Sequence, residues 1–338
     1  MTTVRWGILA PSKIAQKFVA DLKLVKGAEI VAVGSRDKSR AEDFAKQFDI
    51  PKAYGSYLEL VSDPKIDIVY ISSIHPNHYA HSMMALEHGK GVLVEKPFAM
   101  NAREASEMVA LARKKKLFLM EALWSRCHPA AVAMRQRIRD GAIGDIRVIN
   151  ASLGPIGSAP DRRSQQPELG GGVLLECGVY PLHFAQYMAP DLDDTSEVSA
   201  WSTIDDRNVD QATSMAIRTK SGIAAMLSAS FGMGFASGLQ SRAYVSGSTG
   251  WINVPRDIFW PKEFTLYRAG ADPENFVSEA IGYGYTHEAE EVVRCLNEGL
   301  IESPYVTHED SLTVMRLLDR IRGKIGLVYP ADKQSSAA

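Results

Sequence analysis

Gly91-Val-Leu-Val-Glu95-Lys96-Pro97-Phe-Ala-Met100 turns a run of apolar residues directly into a charged tripeptide. Residues 91–94 read as a short strand after a helix stop at His88-Gly89, as in a parallel sheet covered on both faces. Such sheets bind ligands at the carboxyl ends of their strands. Glu95, Lys96 and Pro97 would stand at that end, ahead of a helix capped by Asn101 with Glu104 as its capping-box partner. A lysine held at such an edge and partly stripped of water suits acid–base chemistry. The alternative is a surface lysine that pairs only with Glu95 in a strand-to-helix loop.

Outward from this stretch, residues 1 to about 122 alternate apolar strands with amphipathic helices every 20 to 30 residues. Strands are expected at 4–9, 29–34, near Ala53, at 68–72, 91–94 and 117–121. Helices are expected at 14–24, 39–48 and 77–88, the first with Ile14, Phe18, Val19 and Leu22 on one face. Right-handed crossovers make this an α/β doubly wound parallel sheet, a Rossmann-type dinucleotide-binding domain over residues 1–122.

The first strand-to-helix turn reads Ala10-Pro11-Ser12-Lys13-Ile14-Ala15, where such a fold usually has G-x-G-x-x-G/A. Only the last small position is kept, so the motif by itself is weak. Its place is not: the turn follows a strand and opens a helix, whose first N–H groups hold phosphate whatever the side chains. Ala10, Ser12, Lys13 and Ile14 are therefore expected at the cofactor. About twenty residues later the second strand ends in Ser35-Arg36-Asp37-Lys38, with Arg40 close by. An NAD-preferring fold wants a carboxylate there; Ser35, Arg36 and Arg40 suit a 2′-phosphate, which guanidinium binds in a fork. NADP is expected over NAD. Asp37 is read as the cap of the next helix, the other possibility being a ribose-binding acid one position out of register.

His75, His78 and His81 follow the fourth strand, but no acidic residue is placed to complete a metal set, and no metal is expected. Asn77 is read as a helix cap.

Beyond residue 122, Glu121-Ala-Leu-Trp124-Ser-Arg126-Cys-His-Pro129 marks a change of domain. Trp124 offers an apolar plane for a nicotinamide or a sugar ring, or else an interdomain core residue. Arg126 is a candidate brace for the linker. The loop 154–172, with Arg162-Arg163, has the length of a binding lid or of a mobile connection. Gly170-Gly-Gly172 then releases into a helix over 173–188, on which Glu176, Tyr180 and His183 fall at i, i+4 and i+7. A carboxylate, a phenol and an imidazole on one face could position and deprotonate a hydroxyl together with Lys96, or form a polar stripe inside the domain. Residues 197–266 alternate apolar and polar positions, the pattern of a mostly antiparallel sheet. Helices at 287–298 and 308–324 close an α+β domain over 123–330, and 331–338 reads as a frayed tail.

Glu95-Lys96-Pro97 at the end of a fifth strand resembles the signature of the glucose-fructose oxidoreductase, inositol dehydrogenase and MocA family. The segment from Glu121 resembles E-A-x-W-x-R-F-x-P of its dimeric dihydrodiol dehydrogenase and D-xylose dehydrogenase branch, with Cys127 in place of the aromatic. Gly170 to Tyr180 is similar to the family's G-G-G-A-L-x-D-x-G-x-Y, Glu176 replacing the aspartate. The resemblance runs from Trp6 to Pro330. It implies that Lys96 is the acid and base of a hydride-transfer site, that Ile74, Pro76 and His78 line the nicotinamide and its ribose, and that Glu176 and Tyr180 meet the substrate; from their places in the chain, Glu95, Lys96 and Trp124 are also expected at the cofactor and Lys96, Trp124 and Arg162 at the substrate. It also implies a homodimer built on the open face of the second-domain sheet.

Composition accords with a small-molecule enzyme. The 338 residues are 46% hydrophobic, enough for two cores, and the net charge of −2 offers no basic field for nucleic acid or a membrane surface. The start of the chain enters a strand with no signal-peptide pattern, and no apolar run reaches bilayer length. Three scattered cysteines argue for a reduced, cytoplasmic setting. The expected activity is NADP(H)-dependent hydride transfer to or from a secondary alcohol of a sugar, polyol or dihydrodiol. The rivals are a non-catalytic NADP(H)-binding regulatory protein and a reductase of an unrelated carbonyl.

Overall fold

The structure, a computed structural model, describes residues 2–154, 163–231 and 241–333. Strands β1 (Val4–Leu9), β2 (Ala28–Gly34), β3 (Lys52–Tyr54), β4 (Ile68–Ile71), β5 (Gly91–Glu95) and β6 (Leu119–Ala122) lie parallel in the order β3-β2-β1-β4-β5-β6. This is the order of a doubly wound dinucleotide fold. Every residue of β4 and β5 is buried, which is why their sequences run apolar without alternating.

Helices α1 (Lys13–Leu22), α2 (Lys38–Gln47), α3 (Tyr57–Ser62), α4 (His78–Glu87) and α5 (Ala102–Lys115) carry the chain between strands. Local hydrogen bonds decide where most of them begin. Ser12 accepts from Ala15 N at 3.2 Å, Asp37 from Ser39 N at 3.0 Å, and Asn101 from Glu104 N at 3.0 Å, while Ser56 and Glu59 form a full capping box. Each such cap contributes about 1 kcal/mol. Asn77 departs from expectation. It occupies the N-cap position of α4 without a side-chain cap bond, because a 3₁₀ turn over His75–Asn77, with Pro76 as its second residue, already leads the chain into the helix.

The second unit opens with α6 (Pro129–Arg139) and β7 (Ile146–Leu153). Its later elements are α7 (Val179–Met188), β8 (Glu197–Ile204), β9 (Asp210–Arg218), β10 (Ala224–Ser230), β11 (Arg242–Gly247), β12 (Gly250–Val254), β13 (Glu263–Arg268) and β14 (Glu274–Val277). The eight strands form one sheet, β14-β13-β12-β11-β7-β10-β9-β8, antiparallel except between β7 and β10. Alternation sends Met215, Ile217, Ala225, Leu227, Ala243 and Val245 into the core, against which α7 packs. The other face presents Trp201, Met226, Tyr244 and Trp251, which are 66%, 51%, 39% and 40% exposed.

The single helix expected over 173–188 is two pieces: a π-helical turn over Leu174–Gly178, then α7. Pro181 supplies the reason. It has no N–H for the carbonyl of Cys177 and its ring would strike that carbonyl in a continuous α-helix, so the chain widens by a residue first.

Chain order and packing also differ at the C-terminal end. One compact unit is the chain through Trp124 together with Ala280–Ser311, and the other is Ser125–Glu279 with the chain from Leu312. The sequence reading kept all of 123–330 together. Instead α8 (Thr286–Asn297) packs on α1, and the segment after it covers the outer edge of β6, where Leu119 N donates to Ile301 O at 3.0 Å and His308 Nε2 lies 3.0 Å from Leu119 O. Helix α9 (His308–Ile325) leads into the second unit. The chain then enters α10 (Pro330–Lys333), so 331–333 are not frayed: Asp332 takes the Arg322 guanidinium at 2.5 Å and the backbone N–H of Tyr329 at 2.9 Å.

Candidate functional site

A cleft of about 500 Å³ opens at the carboxyl edge of the first sheet, lined in part by Ala10, Ser12, Ser35, Arg36, Arg40 and Ile74. Six residues chosen from the sequence thus meet in one place, at the point where strand order reverses between β1 and β4. Ala10 has φ of 73°, the left-handed conformation for which the motif's usual glycine is suited. The turn keeps its shape because Ser72 Oγ donates to Ala10 O at 2.7 Å. Ser12 spends its hydroxyl on the cap of α1, which leaves other N–H groups of that helix start for a phosphate.

Arg36 and Arg40 are exposed on the cleft wall. Asp37 between them is occupied: its carboxylate accepts from both the N–H and the hydroxyl of Ser39, and the hydroxyl bond holds it below the usual aspartate range. The acid therefore caps α2 on the same wall that the two guanidinia line. Lys13 and Ile14 stand at the start of α1 outside the cleft lining. His78 works from behind it, fully buried, with Nδ1 2.8 Å from Pro97 O and Nε2 3.0 Å from Ser73 O. Pro76 is half-buried in the 3₁₀ turn. His81 meets Ser73 Oγ at 2.9 Å, and burial, with His78 and Arg36 nearby, pushes its imidazole down to about 4.

Lys96 is half-buried immediately after β5, two strands along from the cleft's first turn. Carboxylates hold the backbone that follows it: Phe98 N donates to Glu121 Oε1 at 3.1 Å and Met100 N to Glu104 Oε2 at 3.1 Å. Glu121 also takes the Ser311 hydroxyl at 2.7 Å. The second quoted motif thus positions the first. Glu95 is buried and accepts from Tyr70 Oη at 2.6 Å. Trp124 lies flat on Tyr285, ring centroids 4.4 Å apart at 17°.

In the second unit Glu176 and Arg163 form an ion pair at 2.7 Å, each side chain about a quarter exposed. Arg162 lies outside the described residues. Tyr180 is half-buried, its ring 6.0 Å from that of Phe259. His183 is buried with Nδ1 3.1 Å from Arg126 Nη2, and the same nitrogen of Arg126 donates to His183 O and Gln186 Oε1. Arg126 braces this unit, and His183 belongs to that brace. The run Gly170-Gly-Gly172 is explained by its third member. Gly172 has φ of 116°, and a Cβ there would sit 2.0 Å from Asp210 Oδ1; the other carboxylate oxygen of Asp210 accepts from Leu174 N at 2.8 Å and anchors the π turn.

Tyr57 and Asn77 also line the cleft and were not read as site residues. No local signal distinguishes them. Tyr57 is the first residue of a capped helix, and only strand order brings it to the cleft; Asn77 looks like a cap by composition.

A Rossmann unit with an open nucleotide cleft, joined to a large mixed sheet, defines a two-domain dinucleotide-linked oxidoreductase. Residues 4–123 match the model described as oxidoreductase family, NAD-binding Rossmann fold, and residues 131–253 match the GFO/IDH/MocA C-terminal domain. The chain belongs to the GFO/IDH/MocA oxidoreductase family, and is a dehydrogenase or reductase. The trans-1,2-dihydrobenzene-1,2-diol dehydrogenase of Sus scrofa is 37% identical, covering 98% of this chain and 99% of the relative, and that of Homo sapiens is 36% identical with the same coverage. Among solved structures, a 3-ketoreductase from Actinomadura kijaniata in complex with NADP and TDP-benzene is 27% identical with a TM-score of 0.82, covering 96% of this chain and 98% of that one. An aldose-aldose oxidoreductase from Caulobacter crescentus, 22% identical with a TM-score of 0.85, shares the fold over 95% of this chain and 97% of its own.

Gly172→Ala is expected to lower the stability of the second unit by about 3 kcal/mol or more, because strain at positive φ adds to loss of the Asp210 anchor. Thermal unfolding checks it; an unchanged melting point would mean that the backbone beside Asp210 has room to shift.

Proposed function

We propose that this chain is an NADP(H)-dependent dehydrogenase or reductase acting on a secondary alcohol or carbonyl of a sugar, polyol or dihydrodiol, with Lys96 as its acid and base. The observation that carries the reading is the half-buried Lys96 just past the carboxyl end of β5, on a loop held by Glu104 and Glu121. Relatives named as dihydrodiol dehydrogenases at 36–37% identity support the substrate class.

The nicotinamide, when bound, gives or takes the hydride. Lys96 moves the proton at the carbinol oxygen and stabilises the charge that grows there. Trp124 presents its indole plane to the ring that docks beside it. Tyr180 is proposed to assist at the substrate hydroxyl and Glu176, paired with Arg163, to contribute to binding. Arg36 and Arg40 fork the 2′-phosphate, a role supported by their exposure on the cleft wall and by the use of Asp37 Oδ1 as the cap of α2. The NADP found in the ketoreductase neighbour agrees with that choice.

Two copies of the chain pair through the open face of the second sheet, where Trp201, Met226, Tyr244 and Trp251 form a surface that water covers poorly. Cys127, Cys177 and Cys295 are buried thiols, in keeping with a reduced cytoplasmic setting.

Screening diols and sugars for NADPH formation by absorbance identifies the substrate. Lys96→Met is expected to lower kcat by roughly 10²–10⁴-fold while NADPH binding, read by fluorescence, persists; a variant that stays active refutes the acid–base role. Arg36→Gln should raise KM for NADP about tenfold and leave KM for NAD nearly unchanged, and a wild-type preference for NAD would sink the cofactor assignment. Light scattering should give a dimer that Trp251→Glu with Tyr244→Glu converts to monomer; a monomeric wild type at micromolar concentration contradicts the pairing.

A further inference from the structure

Glu288, in the first turn of α8, is fully buried, and among the described residues neither of its carboxyl oxygens has a hydrogen-bond partner. The start of a helix favours an anion, but that gain is smaller than the penalty of burying an unpaired ion. The charged and titratable groups that bear on it come from every neighbouring element: Asp21 from α1, Tyr70 from β4, Glu95 from β5 and Tyr285 from the residue before α8. Two of these are carboxylates with donors of their own. Asp21 takes backbone N–H groups of Tyr283 and Tyr285, and Glu95 takes the Tyr70 hydroxyl.

Three carboxyl groups that share a buried site do not all ionise, and Glu288, to which the described residues offer no donor, keeps its proton. We infer that Glu288 is a positioning residue for the chemistry at Lys96: it holds the proton of this acid cluster and so leaves Glu95 as the anion next to the lysine. The inference rests on the reading of Lys96 as the acid and base. Burial, reinforced by Glu95 and Asp21, pushes the Glu288 carboxyl well above the usual glutamate range, and the Tyr70 and Tyr285 phenols move up with it. Loss of the Glu288 proton would add a second negative charge beside Glu95. Proton transfer to or from the substrate oxygen would then slow.

The sign of the stability effect follows from the same shift. A carboxyl that titrates higher in the folded chain than in the unfolded one binds more protons when folded, so stability is whole below the unfolded value, near pH 4.3, and is lost as pH rises from there toward the folded value. Glutamine has the shape of a protonated glutamate and no proton to lose. Glu288→Gln is therefore expected to melt close to wild type near pH 4.5 and about 5 °C higher at pH 8, and to extend kcat to higher pH on the alkaline side. A difference in melting point that does not grow with pH, or pH profiles of kcat that superimpose, overturns the inference. Infrared spectroscopy tests the wild-type chain itself: a protonated-carboxyl stretch at pH 7 is expected, and its absence also overturns it. Should Lys96→Met remain active, the acid–base reading fails by itself, while the melting comparison still reports the proton on Glu288.

Discussion

The carboxylate of Asp21 decides how the chain closes on itself. It lies near the end of α1, almost wholly buried, and accepts from Tyr283 N at 2.8 Å and Tyr285 N at 2.7 Å. Burying a carboxylate without donors would cost several kcal/mol, whereas hydrogen bonds to a charged group contribute about 1.5–3 kcal/mol each. The backbone can come this near because Gly282 has no side chain; a Cβ there would lie 2.0 Å from Asp21 Oδ1, at a φ of 57°. A segment more than 260 residues further on is thereby pinned to the first helix of the nucleotide-binding unit.

What that segment brings is a floor for the candidate chemistry. Tyr285 stacks on Trp124 and meets Phe18 edge-on at 6.4 Å; Phe18 stacks on Tyr70 at 3.8 Å, and Tyr70 donates to Glu95. Rings in such contact contribute about 0.5–1.5 kcal/mol per pair beyond their buried area. Their larger effect here is directional. An indole just past β6 and a carboxylate at the end of β5 are aligned by one chain of rings, with Lys96 the next residue after the carboxylate. Glu104 and Glu121 fix the other side of the same loop through its backbone N–H groups.

The second unit solves a different problem, the support of a helix start in a sheet that has one open face. Asp210 anchors Leu174 N, Arg126 ties His183 to Gln186, and Tyr329 Oη donates to Gly171 O at 2.7 Å. The polar groups read as a catalytic stripe thus divide. His183 serves the scaffold, while Glu176 and Tyr180 keep partial exposure.

The local pattern of the chain sufficed for everything that depends on neighbours in sequence. Unbroken apolar runs marked β4 and β5, alternation marked the second sheet, and Asp37 and Asn101 marked helix starts, because a cap bond spans only two or three residues. The cleft at Ala10, Ser35 and Arg36 was legible too, since a doubly wound sheet brings its first two strand ends together wherever it forms. Pro181 already contained the π turn, although spacing alone read a plain helix across it. Tertiary structure alone decided that residues 280–311 return to the first unit, that Tyr57 reaches the cleft, and that Tyr285 and Glu288 lie beside Trp124 and Glu95. Those placements rest on contacts between residues far apart in the chain. Burial and hydrogen-bond geometry select among such contacts only after the chain has folded, and no periodicity encodes them.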